Sequence, residues 1–287
     1  MAGGTPGHVA LGFAFLLIGI WHLFNSIKIH SLNPTSFRIL PWFPAPRFRR
    51  LEPILIMAVT AAFISMELFH GRKLLSPDGT IPSSNLPHLE HSIIALSFFV
   101  YAAFAAVFDG GAPPPPASHG LLHFLQAAAF AQQLLILHLH STDHMGIEGQ
   151  YHWLLQTVAA VSAATTVVAI GFPGSFVNSF IRAFSVVFQG VWLVVIGAVL
   201  WTPRWIPAGC ALKRGPGRDA VVCGGDGALD RAKALVNIQF GLYLVVLSAA
   251  SILFYLAILK LYPNREKIEY RSLQLDQEHS ADDHIKN

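Results

Sequence analysis

Residues 183–201 read AFSVVFQGVWLVVIGAVLW, nineteen positions in a row without a charged side chain. A helix needs about 20 predominantly apolar residues to cross the hydrocarbon core of a bilayer. Six further segments of similar length and polarity lie elsewhere in the chain, so the sequence predicts an all-α, polytopic membrane protein with a bundle of about seven transmembrane helices. The predicted segments are 7–29, 52–71, 88–108, 118–140, 152–172, 181–201 and 234–260.

The overall composition agrees with this fold class. Of the 287 residues, 53% are hydrophobic and 12% are charged, and the mean hydropathy is +0.51. Soluble domains carry about 25% charged residues, so an ordinary soluble domain is excluded. The net charge is only +3, and the basic residues lie between the apolar segments, which argues for membrane lipid and against nucleic acid as the partner. Residues 1–262 are predicted to form the transmembrane domain, and the polar residues 263–287 a disordered tail.

The distribution of Lys and Arg predicts an orientation. With an odd number of spans the two termini lie on opposite sides of the membrane. The side with the C-terminal tail holds eleven basic residues, one of them assigned to the connection between the fifth and sixth segments, and the other side holds eight. The positive-inside rule therefore predicts a cytosolic C-terminus and an N-terminus that is outside or in a lumen. Cys210 and Cys223 then share a non-cytosolic loop, where either a disulfide or two free thiols would be compatible with the sequence.

Fourteen histidines are present, and topology sorts them, with several carboxylates, into two groups at opposite ends of the helices. Ionisable groups near the hydrocarbon are costly and usually face a bundle interior or a water-filled cavity, so both groups contain candidate functional residues. The end at which the first helix begins receives His8, Glu67, His70, His88, Glu90, His91, His138, His140, His144, Glu148 and His152. The other end receives His22, His30, Asp109, His119 and His123.

The first group has the chemistry of a metal site. Imidazole and carboxylate together suit zinc, iron or copper, and zinc is predicted here. The predicted ligands are His8, His91, His138, His140 and His152. Glu67 or Glu148 is predicted as a further ligand or as a general base acting on metal-bound water. An open coordination position would allow metal-dependent hydrolysis of a lipid-like substrate.

Three other interpretations remain open. The histidines may be expected at the membrane interface without any ligand, because imidazole is amphipathic. A two-haem electron carrier of the b type is also compatible, since His8 and His22 are fourteen residues apart and lie within about 40° of each other on one helix, and His123 and His138 lie within about 60°. A non-catalytic transporter, sensor or structural membrane factor would use histidines that titrate near neutral pH.

Several local patterns resemble a known family. They are Gly7-His8 before a glycine-containing apolar helix, Glu67, His91-Ser92, His138-Leu139-His140 followed by Glu148 and His152, and Gln189-Gly190-x-Trp192. Together they resemble the TMEM45 family, which carries the DUF716 domain, and residues 138–155 are similar to its plant branch. The resemblance implies a multi-pass membrane protein, and for plant members a link to defence, but no particular enzymatic activity. It also implies that His8, Glu67, His91, His138, His140 and His152 are shared more widely than His22, His119 and His123.

Overall fold

The computed structural model describes residues 5–69, 75–111, 115–143, 146–213 and 220–263, without the side chains of residues 5, 6 and 140–143. Within these ranges seven helices are long and apolar enough to cross a membrane, which confirms the predicted number. The helices are α1 (Thr5–Leu32), α2 (Leu51–Phe69), α3 (Leu86–Gly110), α4 (Ser118–Asp143), α5 (Ile147–Gly171), α6 (Phe176–Leu200) and α7 (Asp226–Leu261). The predicted tail lies, from residue 264 onward, outside the described residues.

The helices extend beyond the apolar segments that predicted them. α5, α6 and α7 begin five to eight residues earlier than expected. Hydropathy locates only the apolar part of a helix, whereas polar turns at its ends are stabilised by capping and tertiary contacts. At the start of α6, for example, the Ser175 hydroxyl accepts a hydrogen bond from the Asn178 main-chain N–H.

The first six helices form a ring. Neighbouring pairs in the order α1, α6, α5, α4, α3 and α2 pack along their lengths, and α1 with α6 is the most extensive pair. The ring closes poorly between α1 and α2, which touch only slightly. α7 lies outside the ring and packs mainly against α1 and α5. This arrangement leaves a space along the ring axis and a weak seam on one side of it.

Glycines allow α1 and α6 to pack backbone against backbone. A Cβ atom added at Gly190 would lie 2.4 Å from the Leu16 nitrogen and 2.7 Å from the Gly12 carbonyl oxygen. Small residues at such crossings let membrane helices approach closely. At Gly241 in α7, by contrast, an added Cβ atom would meet nothing within 4 Å.

A small hairpin covers the end of the ring at which α1 begins. Its strands, β1 (Cys210–Lys213) and β2 (Ala220–Cys223), are antiparallel, and they place Cys210 directly opposite Cys223. The two cysteines form a disulfide, so of the two readings left open by the sequence the structure has the bonded one. Val221 of this hairpin packs into the same apolar cluster as Ile147 at the start of α5.

Removal of the disulfide should loosen this cap measurably. Because the bond closes a loop of about 14 residues, chain-entropy arguments predict a loss of about 3 kcal/mol when both Cys210 and Cys223 are replaced by Ala. Thermal unfolding of the purified protein, with and without reductant, measures the effect. Reductant should lower the transition of the wild type and leave the double variant unchanged. A wild-type transition that does not respond to reductant would contradict this prediction.

Candidate metal centre

A cavity of about 310 Å³ occupies the axis of the ring, and side chains from α1 to α6 line it. Its middle is almost entirely apolar, whereas both ends are polar. The end at which α1 begins, called the His8 end below, is lined by His8, Glu67, His91 and His152. The opposite end, called the His22 end, is lined by His22, Glu52, Gln126 and Arg182.

The cavity opens sideways. Three of its lining residues are also exposed on the protein surface, namely Leu17 (67%), Leu55 (48%) and Val59 (39%). Leu17 and Val59 lie halfway along α1 and α2, the two neighbours that touch only slightly, and Leu55 lies one turn before Val59. Every other described residue of the lining is buried or half-buried. The opening therefore faces the apolar flank of the bundle rather than either of its polar ends.

Glu67 is the centre of the polar group at the His8 end. Its side chain is 1% exposed and accepts a hydrogen bond from His88 Nδ1, and its other oxygen lies 3.9 Å from His91 Nδ1. His88 and His91 are three residues apart in the first turns of α3 and share one helix face. One ligand atom from each of these three residues lies within 4.8 Å of the other two.

Two more histidine rings lie beside this group. The His8 ring is 6.2 Å from that of His91 and 5.7 Å from that of His152, centroid to centroid. Imidazoles that share a zinc ion at a Zn–N distance of about 2.1 Å have centroids roughly 5 Å apart, so each of these two ring pairs is about an ångström wider than that spacing. We call His8, Glu67, His88, His91 and His152 the histidine cluster.

The orientation of the His152 ring suits a ligand. Its Nδ1 donates a hydrogen bond to the Glu148 carbonyl oxygen at 2.9 Å. Because a carbonyl only accepts, the neutral ring carries its proton on Nδ1 and its lone pair on Nε2, the arrangement in which histidine binds metal. The Glu148 side chain is buried at the start of α5, one turn before His152.

The remaining predicted ligands do not line the cavity in the described part of the chain. His138 is exposed, and its Nδ1 accepts a hydrogen bond from Gln156 Nε2 at 3.1 Å. The side chain of His140 lies outside the described residues, as do His70 and His144. His88 was in the sequence-derived group but not among the predicted ligands. Its spacing of three residues from His91 was the signal that could have included it.

A buried loop closes the His22 end. Residues 37–43 of the connection between α1 and α2 fold into the bundle, and Ile39 and Phe43 are each only 2% exposed. Buried main-chain groups outside regular structure need hydrogen-bond partners. Arg182 donates to Leu40 O at 2.7 Å, Tyr101 donates to Pro41 O at 2.5 Å, His123 Nε2 lies 3.5 Å from Ile39 O, and Glu52 accepts from Phe43 N at 2.8 Å. We call Glu52, Tyr101, His123 and Arg182 the loop anchor.

The two charged members of the loop anchor have further partners. The Glu52 carboxylate accepts hydrogen bonds from His22 Nε2 at 2.6 Å and from Trp21 Nε1 at 3.0 Å. The Arg182 guanidinium donates to His123 Nδ1 and to Gln126 Oε1, each at 3.1 Å. His22 and His123, which the haem interpretation uses as axial ligands, are thus hydrogen-bonded within the protein, and the haem interpretation stays an untested prediction.

Sequence reasoning missed Arg182 and Glu52. Arg182 was the basic residue assigned to the connection before the sixth segment, but it lies in the second turn of α6 and is 2% exposed. Without it the Lys and Arg counts become ten against eight, so the predicted orientation has less support. An ionisable residue within an apolar segment was the available signal.

Comparison with known proteins found a family that resembles part of the chain. A family model described as "Family of unknown function (DUF716)" matches residues 119–256, which run from the start of α4 into α7. No curated protein matches the chain. The matched part includes His123, His152 and Arg182. Helices α1 to α3 precede it, and they supply the other four members of the histidine cluster, His8, Glu67, His88 and His91. The assignment to a plant branch stays a prediction. The match confirms the resemblance found in the sequence, because residues 119–256 are similar to the DUF716 family.

Proposed function

We propose that this chain is a multi-pass membrane protein that binds a zinc ion in the histidine cluster and hydrolyses a lipid-like molecule held in the cavity. The observation that carries the proposal is the convergence of ligand atoms from Glu67, His88 and His91 within 4.8 Å at one end of an apolar cavity. Concave apolar sites with a few convergent polar groups are where small molecules bind and react in proteins.

The donor set favours zinc. Two imidazole nitrogens and a carboxylate oxygen are common zinc ligands, and catalytic zinc sites use three protein ligands with a fourth position open to water or substrate. Glu67, His88 and His91 would supply the three, with His8 and His152 next to the ion. A cation would also offset the cost of burying the Glu67 carboxylate. His140 stays a predicted ligand, and the exposed position of His138 favours a role outside the site.

Bound zinc would supply a hydroxide near neutral pH, because it lowers the pKa of its water to about 7. In this proposal Glu67 is a ligand, since it lies between His88 and His91. Glu148 is the candidate general base, because its buried side chain is one turn from His152. The Glu148 carbonyl oxygen meanwhile orients the His152 ring.

The shape of the cavity supports a lipid-like substrate. An opening lined by Leu17, Leu55 and Val59 would admit molecules from the hydrocarbon of a bilayer rather than from water. His8 and His22 mark its two ends and are fourteen residues apart on α1, so its length is roughly 21 Å at 1.5 Å per residue. With C–C bonds of about 1.52 Å, a saturated chain advances roughly 1.3 Å per carbon, and the cavity would hold roughly 16 carbons.

We also propose that the His8 end faces the outside of the cell or a lumen. The Cys210–Cys223 disulfide lies at this end, and disulfides persist in oxidising compartments. The excess of basic residues on the opposite side agrees, although the excess is small. Zinc site, disulfide and N-terminus would then share one non-cytosolic face.

Metal analysis of the purified protein tests the proposal. We expect close to one zinc ion per chain in the wild type, and loss of most of it in His91→Ala and in His88→Ala, because each change removes a ligand. His119→Ala is the matched control, since His119 is exposed at the His22 end and should leave the zinc content unchanged. Wild-type protein that takes up no stoichiometric metal, even after zinc is added back, would refute the site.

The same preparation tests the other functions predicted from the sequence. A colourless protein excludes a haem carrier that uses His8, His22, His123 and His138. Stoichiometric zinc without hydrolysis of long-chain ester or amide lipids would favour the non-catalytic transporter, sensor or structural factor over the enzyme.

A further inference from the structure

The cavity wall contains a buried acceptor that has no protein partner among the described residues. This atom is Oε1 of Gln133, whose side chain is only 4% exposed and lines the cavity from α4. The amide nitrogen of the same side chain is used, since Nε2 donates to Gln189 Oε1 at 2.8 Å. A buried acceptor without a donor is costly, so a donor from a bound molecule would stabilise the site.

A chain of hydrogen bonds sets the direction in which Gln133 points its oxygen. Ser185 Oγ donates to the Arg182 carbonyl at 2.8 Å, and the Ser162 hydroxyl has two acceptors for its proton, Ser185 Oγ at 2.7 Å and the Val158 carbonyl at 3.3 Å. Ser162 Oγ therefore accepts from Gln189 Nε2 at 2.7 Å. Gln189 Oε1 then accepts from Gln133 Nε2, so the side-chain oxygen of Gln133 points towards the cavity.

A second polar group in the middle of the wall is also an acceptor. The Thr60 hydroxyl lines the cavity and donates its one proton within α2, at 2.7 Å to Ile56 O. Its remaining capacity towards a ligand is to accept. Thr60 and Gln133, the two polar side chains in the middle of the wall, can thus each accept a hydrogen bond from a bound molecule.

Gln133 lies at the depth of the lateral opening. It follows Gln126, a partner of Arg182, by seven residues, and Val59 follows Glu52 by seven residues, so both lie roughly 10 Å from the His22 end. The charged members of the described lining, Glu52, Glu67 and Arg182, lie at the two ends. A charged group at the middle depth would find no counter-ion there.

We propose that the lipid-like molecule held in the cavity carries an uncharged hydroxyl, which donates a hydrogen bond to Gln133 Oε1. The inference rests on the lipid cavity of the proposed function and not on the zinc ion. Ethers, ketones and simple esters carry acceptors only, so at this depth they would leave the Gln133 oxygen unpaired and place a second acceptor beside it. A hydroxyl satisfies it directly.

Ligand competition on the wild-type protein tests the proposal without any substitution. Tritiated 8-hexadecanol, whose hydroxyl lies at mid-chain, is bound to the full chain in detergent micelles and displaced either by unlabelled 8-hexadecanol or by its methyl ether at equal mole fraction in the micelle. The alcohol should displace the label about five- to tenfold more effectively, the worth of one hydrogen bond. Equal displacement, or no saturable binding of the label, would overturn the proposal.

Variants show which residue causes the preference for the alcohol over the ether, and they separate this preference from the metal site. Gln133→Met, which keeps the length of the side chain, should bind the alcohol and the ether equally. Gln132→Met is the matched control, because Gln132 is half-buried outside the cavity wall, and it should keep the preference. A preference that survives in Gln133→Met would overturn the assignment. Zinc content is measured on the same samples. If zinc is present but the alcohol is not preferred over the ether, this inference alone is refuted. If the alcohol is preferred but zinc is absent, only the metal site is refuted.

Discussion

Arg182→Met should lower the free energy of unfolding by about 3–5 kcal/mol, which is enough to prevent recovery of folded protein in many preparations. The guanidinium donates to Leu40 O, which is half-buried, and to His123 Nδ1 and Gln126 Oε1, which are buried. Removing the donor leaves them without it and leaves the Glu52 carboxylate as the one charge among the described lining residues at that end of the cavity. Thermal unfolding of the detergent-solubilised protein, followed by size-exclusion chromatography, measures the loss.

Two further variants make this result specific. Arg204→Met removes an exposed arginine that stacks over Trp205, and it should leave the transition within about 0.5 kcal/mol of the wild type. Arg182→Lys keeps the charge but replaces a planar fork by a single ammonium, so an intermediate loss is expected. Wild-type stability in Arg182→Met would show that the buried loop does not depend on this residue.

Gly190→Ala is the second change with a large expected effect. Its new methyl carbon would lie 2.4 Å from Leu16 N and 2.7 Å from both Leu16 Cα and Gly12 O, all of them main-chain atoms that cannot rotate away. α1 and α6 would have to separate. The loss in free energy of unfolding should therefore exceed the cost of ordinary overpacking, which is about 1–3 kcal/mol. The shift of the thermal transition gives the magnitude.

Gly241→Ala is the control for that experiment. Gly241 also lies within a helix of the bundle, but its added methyl group would meet nothing within 4 Å. Alanine has the higher helix propensity, so this variant should equal the wild type or exceed it slightly. Equal stability of the Gly190→Ala and Gly241→Ala variants would contradict the close approach of α1 and α6.

Hydropathy was sufficient to predict the helices and to assign their ends to the two sides of the membrane. Apolar segments of bilayer length predicted each helix, and the parity of the spans placed Glu67, His91 and His152 at one end before their contacts were known. Both results follow from short-range features, namely runs of apolar residues and the alternation of chain direction. Helix starts were less well predicted, because caps such as Ser175 lie outside the apolar run.

The sequence pattern could not predict which residues contact one another in the folded protein. A single arginine near a helix end looks the same whether it faces water or, as with Arg182, the main chain of a loop 142 residues away. The outward position of His138 and the contact of His88 with Glu67 depend on helix rotation, which periodicity leaves undetermined in a segment that is apolar all round. The lateral opening likewise depends on which two helices fail to pack.

The buried loop at residues 37–43 constrains the order in which this chain can assemble. Its partners are synthesised long after it, with Tyr101 60 residues after Pro41, His123 84 residues after Ile39 and Arg182 142 residues after Leu40. When α1 and α2 are complete, the hydrogen-bond partner that they supply to the main chain of this loop, among the described residues, is Glu52. The connection between α1 and α2 therefore lacks these hydrogen bonds until α6 has been made, and the last of them joins the first third of the chain to the second.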